Sequence, residues 1–142
     1  MNKTPEVQKT IALVFVELFF ATLPIILLGF AAAASKRPDE FGKFWSGPEW
    51  PMTSAILYGL TISRYFQGLL RVIQSGQLTE LFSERILLLI LAPTGGLALS
   101  GIFLMAALDG PPLWLQILDY INVFIAICLF IVLGGYGIKN AD

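Results

Sequence analysis

Residues 52–74 read MTSAILYGLTISRYFQGLLRVIQ, and this stretch decides the fold. It is long enough to cross a bilayer, which takes about 20 residues of helix, yet Arg64 stands near its middle. An arginine at such depth costs roughly 2.5 to 17 kcal/mol depending on how the cost is measured, so it faces protein or water and not lipid. Thr61, Arg64, Gln67, Gly68, Arg71 and Gln74 recur at intervals of three or four, which sets them on one side of a helix. Thr53 lies about three turns earlier and joins the same side. A membrane helix with one polar stripe must turn it toward a partner. What that partner is becomes the question of function.

The rest of the chain is more apolar still. Of 142 residues, 56% are hydrophobic and only 13% are charged, against about 25% charged in an ordinary soluble domain. Mean hydropathy is +0.77. The apolar residues collect in four blocks, and four spans use about 80 to 100 residues, which leaves little for a soluble domain. The sequence therefore predicts an all-α fold, a polytopic four-transmembrane-helix bundle. Residues 1–142 form a single integral membrane domain, with helices at about 9–34, 52–74, 84–108 and 113–138.

The first block, IALVFVELFFATLPIILLGFAAAA, starts at Ile11 and contains Glu17 and Pro24. It is about twice the length of a signal-peptide apolar region, so it reads as a retained helix, with a kink expected at Pro24. The loop SKRPDEFGKFWSGPEWP follows, with Phe41, Phe44, Trp45 and Trp50 interleaved among its charges. Aromatics of this kind gather where membrane meets water. A short interfacial helix is expected around Asp39–Trp45, with Pro38 in its first turn, and Trp45, Glu49 and Trp50 are the candidate residues of an interface loop. Gly76 marks a stop after the second span, and Ser83 a cap for the third. In the third span Pro93, Gly95 and Gly96 predict a kink or a short unwound piece. In the fourth, Trp114 is an interface anchor, and Gln116, Asp119 and Asn122 form a smaller polar stripe at spacing three. Cys128 reads as a small packing residue buried among apolar neighbours.

With four spans, one side of the membrane holds Lys3, Lys9, Arg71, Arg85 and Lys139, and the other Lys36, Arg37 and Lys43. Five cations against three place both termini in the cytoplasm.

Glu17 then lies roughly 10 Å and Arg64 roughly 15 Å from the same boundary, at about 1.5 Å per residue. Opposite charges at compatible depth predict an intramembrane ion pair between the first two spans, within one protomer or between two. The other reading is a gate in a water-filled path. Asp119 lies roughly 9 Å from the opposite boundary, out of easy reach of Arg64. It reads either as a partner in an interhelical hydrogen bond or as an ion or proton site.

Several functions are not expected. There is no His and one Cys, so neither a zinc constellation nor an internal disulfide is available. A net charge of −1 without a basic patch does not suit nucleic acid. No glycine-rich phosphate loop and no nucleophile with an evident base occur, so neither catalysis nor a cofactor is expected. The remaining polar groups, Glu17, Thr61, Arg64, Gln67, Arg71, Asp119 and Asn122, are candidates for assembly or for lining a pore. Gly59, Ser63, Gly68, Gly95, Gly96, Ser100, Gly101, Gly134 and Gly135 permit close helix approach. Four helices alone enclose no large cavity, so copies of the chain or a partner are expected to cover the stripe.

The segment Gly47–Arg64, GPEWPMTSAILYGLTISR, resembles small four-helix membrane proteins found among bacterial anti-phage genes. The membrane subunit of the Kiwa defence system has the same general build. The shared pattern covers about one eighth of the chain. It implies an oligomeric inner-membrane component that works with a soluble partner or responds to infection, and it assigns no site residues. The leading expectation is a small homo-oligomeric sensor or effector subunit in the lipid bilayer. The alternatives are an ion channel or small-solute transporter lined by the second span, and an accessory subunit that stabilises a larger membrane complex.

Overall fold

In a computed structural model, which describes residues 4–35, 38–74 and 84–134, every element is a helix. α1 spans Thr4–Ala34, α2 Pro38–Trp45, α3 Glu49–Gln74, α4 Glu84–Leu108 and α5 Leu113–Leu129. A π-helical turn, Phe130–Gly134, continues α5. Among the described residues there is no strand.

Three helical segments are long and apolar enough to cross a membrane: Ile11–Ala34, Ile90–Leu108 and Leu113–Leu133. α3 is not among them, and its position explains why. It packs against α1, α4, α5 and the π turn, so it is the hub of the bundle. The three apolar helices pack against its buried side and turn their own apolar side chains outward. Within Ile11–Ala34 only Val14 and Ala21 are buried, and Phe15, Phe20, Leu27 and Phe30 all stand on the surface. The core is correspondingly small: Val14 and Ala21 of α1, Leu57 and Tyr58 of α3, and Ala126 and Phe130 at the end of α5.

Several expectations about the elements need adjusting. α1 begins at Thr4 and not near Lys9. α3 begins at Glu49, so Trp50 and Pro51 lie inside its first turn, where a missing proline N–H is harmless. α4 runs helically through Pro93, Gly95 and Gly96 without an unwound piece. One proline removes one backbone bond, and the helix on either side holds its register; α1 likewise continues through Pro24. The α-helical part of α5 ends at Leu129, and residues 135–138 of the predicted fourth span lie outside the described residues. So do Gly76 and Ser83. Cys128 is exposed and not buried. The buried face of α5 is Asp119, Asn122, Val123 and Ala126, and Cys128 points well away from it at about 100° per residue.

α2 forms as a short helix over Pro38–Trp45, within a residue of the expected range. It is clasped from three sides. Phe44 lies so close to α1 that a methyl group on Gly29 would come within 3.3 Å of its ring. The indole Nε1 of Trp50, in the first turn of α3, donates to the Phe44 carbonyl at 3.0 Å. From α5, the Tyr120 hydroxyl donates to the Trp45 carbonyl. Trp45 and Trp50 stack at 5.5 Å, and Tyr120 meets both edge-on at 6.0 and 5.0 Å. These contacts seat the end of α2 over the start of α5.

Candidate functional site

Three groups of polar side chains lie inside or between the helices. The first is the ion pair. Arg64 of α3 reaches Glu17 of α1, with Nη2 donating to Oε1 and Nε donating to Oε2 at 3.3 Å. Two parallel donors on one carboxylate fix orientation as well as charge. The pair forms within a single chain, and its side chains are 33% and 19% exposed.

The second is a closed network joining α3, α4 and α5. The Tyr58 hydroxyl donates to Asn122, whose Oδ1 lies at 2.9 Å. The two Nδ2 protons of Asn122 go to Ser54 Oγ at 3.2 Å and Ser100 Oγ at 3.0 Å. The two serine oxygens are 2.7 Å apart. Each also lies 2.9 Å from a carbonyl of its own helix, Pro51 for Ser54 and Gly96 for Ser100. Each hydroxyl has one proton, so one serine donates to the other and the second donates to its carbonyl. All four side chains are buried, and each has its partners. A buried network with every member satisfied rigidifies a core, whereas a half-satisfied one weakens it. Gly96 makes this possible, because a methyl group there would fall inside the Tyr58 ring.

The third is a cleft of ≈ 10 Å³ where the end of α2 meets the first turns of α5. Asp119 lines it, 8% exposed, with a buried Oδ1 that has no hydrogen-bond partner. Its expected neighbours bond elsewhere: Gln116 Nε2 donates to the Pro111 carbonyl at 2.9 Å, and Asn122 belongs to the network above. Glu49 Oε2 is a second buried oxygen without a partner, pressed against Gly47.

The polar stripe of α3 therefore does not act as one unit. Thr53 and Thr61 are fully buried, and Thr61 Oγ1 bonds back to the Leu57 carbonyl at 2.7 Å. Arg64 is half-buried in its pair. Gln67 is exposed, although Gly68 beside it is buried, because one residue is about 100° of helix. Arg71 lies in the last turns of α3, and its side chain is outside the described residues, as is that of Gln74. Ser54 and Tyr58 did not belong to the predicted stripe. Their spacing with Thr61, four and then three residues, is the signal that marks them.

Among the described residues no three of His, Cys, Asp and Glu come together in a way that could hold a metal ion. No family model matches the chain, no curated protein matches it, and no solved structure matches it.

Proposed function

We propose that the chain is a four-span membrane subunit that works as a homo-oligomer, in a sensor or effector role and not as an enzyme. The observation that carries this reading is the outer face of α3. Met52, Ile56, Ser63, Phe66, Gln67 and Leu70 are exposed there, and a methyl group on Gly59 would meet open space. Gln67 lies about 10 Å from the end of α3, at a depth where hydrocarbon offers an amide nothing to bond. A second copy supplies the missing partner. A glutamine side chain both donates and accepts, so Gln67 can pair with its own equivalent across a two-fold axis. Gly59 and Ser63 sit four residues apart on the same face, the spacing that lets helices approach closely.

The resemblance of Gly47–Arg64 to anti-phage membrane subunits suggests a bacterial inner membrane and a soluble partner, and the balance of five cations against three puts both termini in the cytoplasm. A channel lined by Arg64 has less support, because Glu17 already engages the guanidinium with two bonds.

The deciding experiment is the oligomeric state in lipid nanodiscs or by native mass spectrometry from membranes. An oligomer that Gly59→Ile and Gln67→Leu each weaken is the expected result. A monomer at every protein-to-lipid ratio would overturn the proposal.

A further inference from the structure

We propose that the Asp119 cleft binds one small monovalent cation of the sodium class, and that the bound ion ties α2 to α5. Asp119 lines the cleft and is more than nine-tenths buried, and its Oδ1 is a buried oxygen without a hydrogen-bond partner. Buried carboxylates are otherwise paired or coordinate a metal ion. The lining supplies the oxygens that hard cations prefer. Ser46 lines the cleft, and its hydroxyl, which donates back to the Gly42 and Lys43 carbonyls at 3.4 Å, keeps its lone pairs as acceptors. The Gln116 amide is another: its Nε2 is held by the Pro111 carbonyl at 2.9 Å, which leaves Oε1 as an acceptor. The C-terminus of α2, the negative end of a helix dipole, also abuts the cleft at Trp45.

Charge and size narrow the class. One carboxylate lines the cleft, so one positive charge neutralises it. The space of ≈ 10 Å³ holds about one water-sized sphere, too little for an organic ammonium. The rings of Trp45, Trp50 and Tyr120 close on one another at 5.0 to 6.0 Å and leave no slot between them for such a group. Trp45, Ser46 and Gly47 line the cleft from one side and Pro111, Gln116 and Asp119 from the other. An ion between them fastens the end of α2 to α5. The site lies apart from the outer face of α3, so it stands or falls independently of oligomer formation.

The test uses the full chain in nanodiscs, titrated with sodium, lithium, potassium or choline chloride at constant ionic strength and fixed pH. Thermal unfolding and tryptophan emission are the readouts. Sodium is expected to raise Tm saturably and to change the emission, with potassium weaker and choline inert. Asp119→Asn is expected to abolish the response. Gln116→Met keeps the carboxylate and removes one oxygen ligand, so it is expected to raise the apparent Kd by about tenfold or more, and it serves if the Asp119 variant does not fold. Equal responses to sodium, potassium and choline would report ionic strength alone and overturn the site. Stability that follows pH but not cation identity would mean that Asp119 holds a proton, and would overturn it too. A sodium response that survives Asp119→Asn, or one unchanged in Gln116→Met, would do the same.

Discussion

Arg64 and Glu17 hold each other through two hydrogen bonds across 47 residues of sequence. The pair joins the hub helix to α1, whose Val14 and Ala21 share the apolar core with Leu57 and Tyr58. Its value lies in position, because a half-exposed ion pair stabilises less than its charges suggest.

Removing either member leaves the other charge without its partner. Glu17→Ala and Arg64→Ala are each expected to cost on the order of 2 kcal/mol, between the values for exposed and for buried pairs. The double variant should be no worse than the poorer single one, and the swap Glu17→Arg with Arg64→Glu should recover part of the loss. Thermal unfolding in nanodiscs measures this. Additive losses would sink the coupling.

Gly96→Ala places a methyl group inside the Tyr58 ring. The overpacking is expected to cost about 1–3 kcal/mol. Tyr58→Leu in the same chain should relieve part of it. A Gly96→Ala protein that unfolds at the wild-type temperature would contradict the close approach of α3 and α4.

The Asn122 network predicts an order of severity. Tyr58→Phe removes one hydroxyl and should cost about 1 kcal/mol. Asn122→Leu takes the nearer acceptor from Tyr58, leaving the backbone carbonyl of residue 122 at 3.2 Å, and takes a donor from both serines, so it should cost more, about 2–3 kcal/mol by the same reasoning. Equal effects for the two substitutions would argue against a shared network.

Gly29→Val tests the seat of α2. Phe44 packs on Gly29, and Trp50 bonds to the Phe44 carbonyl. The added isopropyl group should lift α2 and shift the tryptophan emission to the red, while the helical content stays near wild type. An unchanged emission spectrum would show that α2 is held without Gly29.

Cys128 offers a check on the membrane reading. Its thiol is on the surface of the chain, within the apolar segment Leu113–Leu133. In lipid a water-soluble maleimide should label it slowly, and unfolding in denaturing detergent should make labelling fast. Rapid labelling in intact nanodiscs would put this face of α5 in water.

The features legible in the sequence were those carried by charge and by strong local signals. Arg64 and Glu17 match by depth and sign alone, with no knowledge of how either helix packs. α2 was legible from Pro38 and the run of aromatics after it. The rotation of α3 was not. The stripe from Thr53 to Gln74 points to one side of the helix, but the buried side is turned toward Ser54, Tyr58 and Tyr65. Tyr58 reads as an apolar aromatic in a hydropathy pattern, and its hydroxyl gains meaning only beside Asn122, 64 residues away. The glycines after Pro93 looked like a break in a helix. Gly96 instead makes room for a neighbouring ring, a purpose that no local pattern shows. Asp119 stood out as a carboxylate inside an apolar block, but the cleft beside it is built from three separate segments.

The hub position of α3 has a consequence for biogenesis. If the chain is inserted from its N-terminus as proposed, the least apolar of its long helices emerges before two of the helices that cover it. Glu17 precedes Arg64 and is already in place to receive it. Ser100 and Asn122 are synthesised later, so Ser54 and Tyr58 cross the insertion machinery before their partners exist. After the Trp50–Phe44 bond between α3 and α2, the Glu17–Arg64 pair is the next interhelical bond described above that can form, and the serine–asparagine network closes only once α5 has been delivered. A chain truncated before α5 would leave α3 a poor substrate for the bilayer and a good one for quality-control proteolysis.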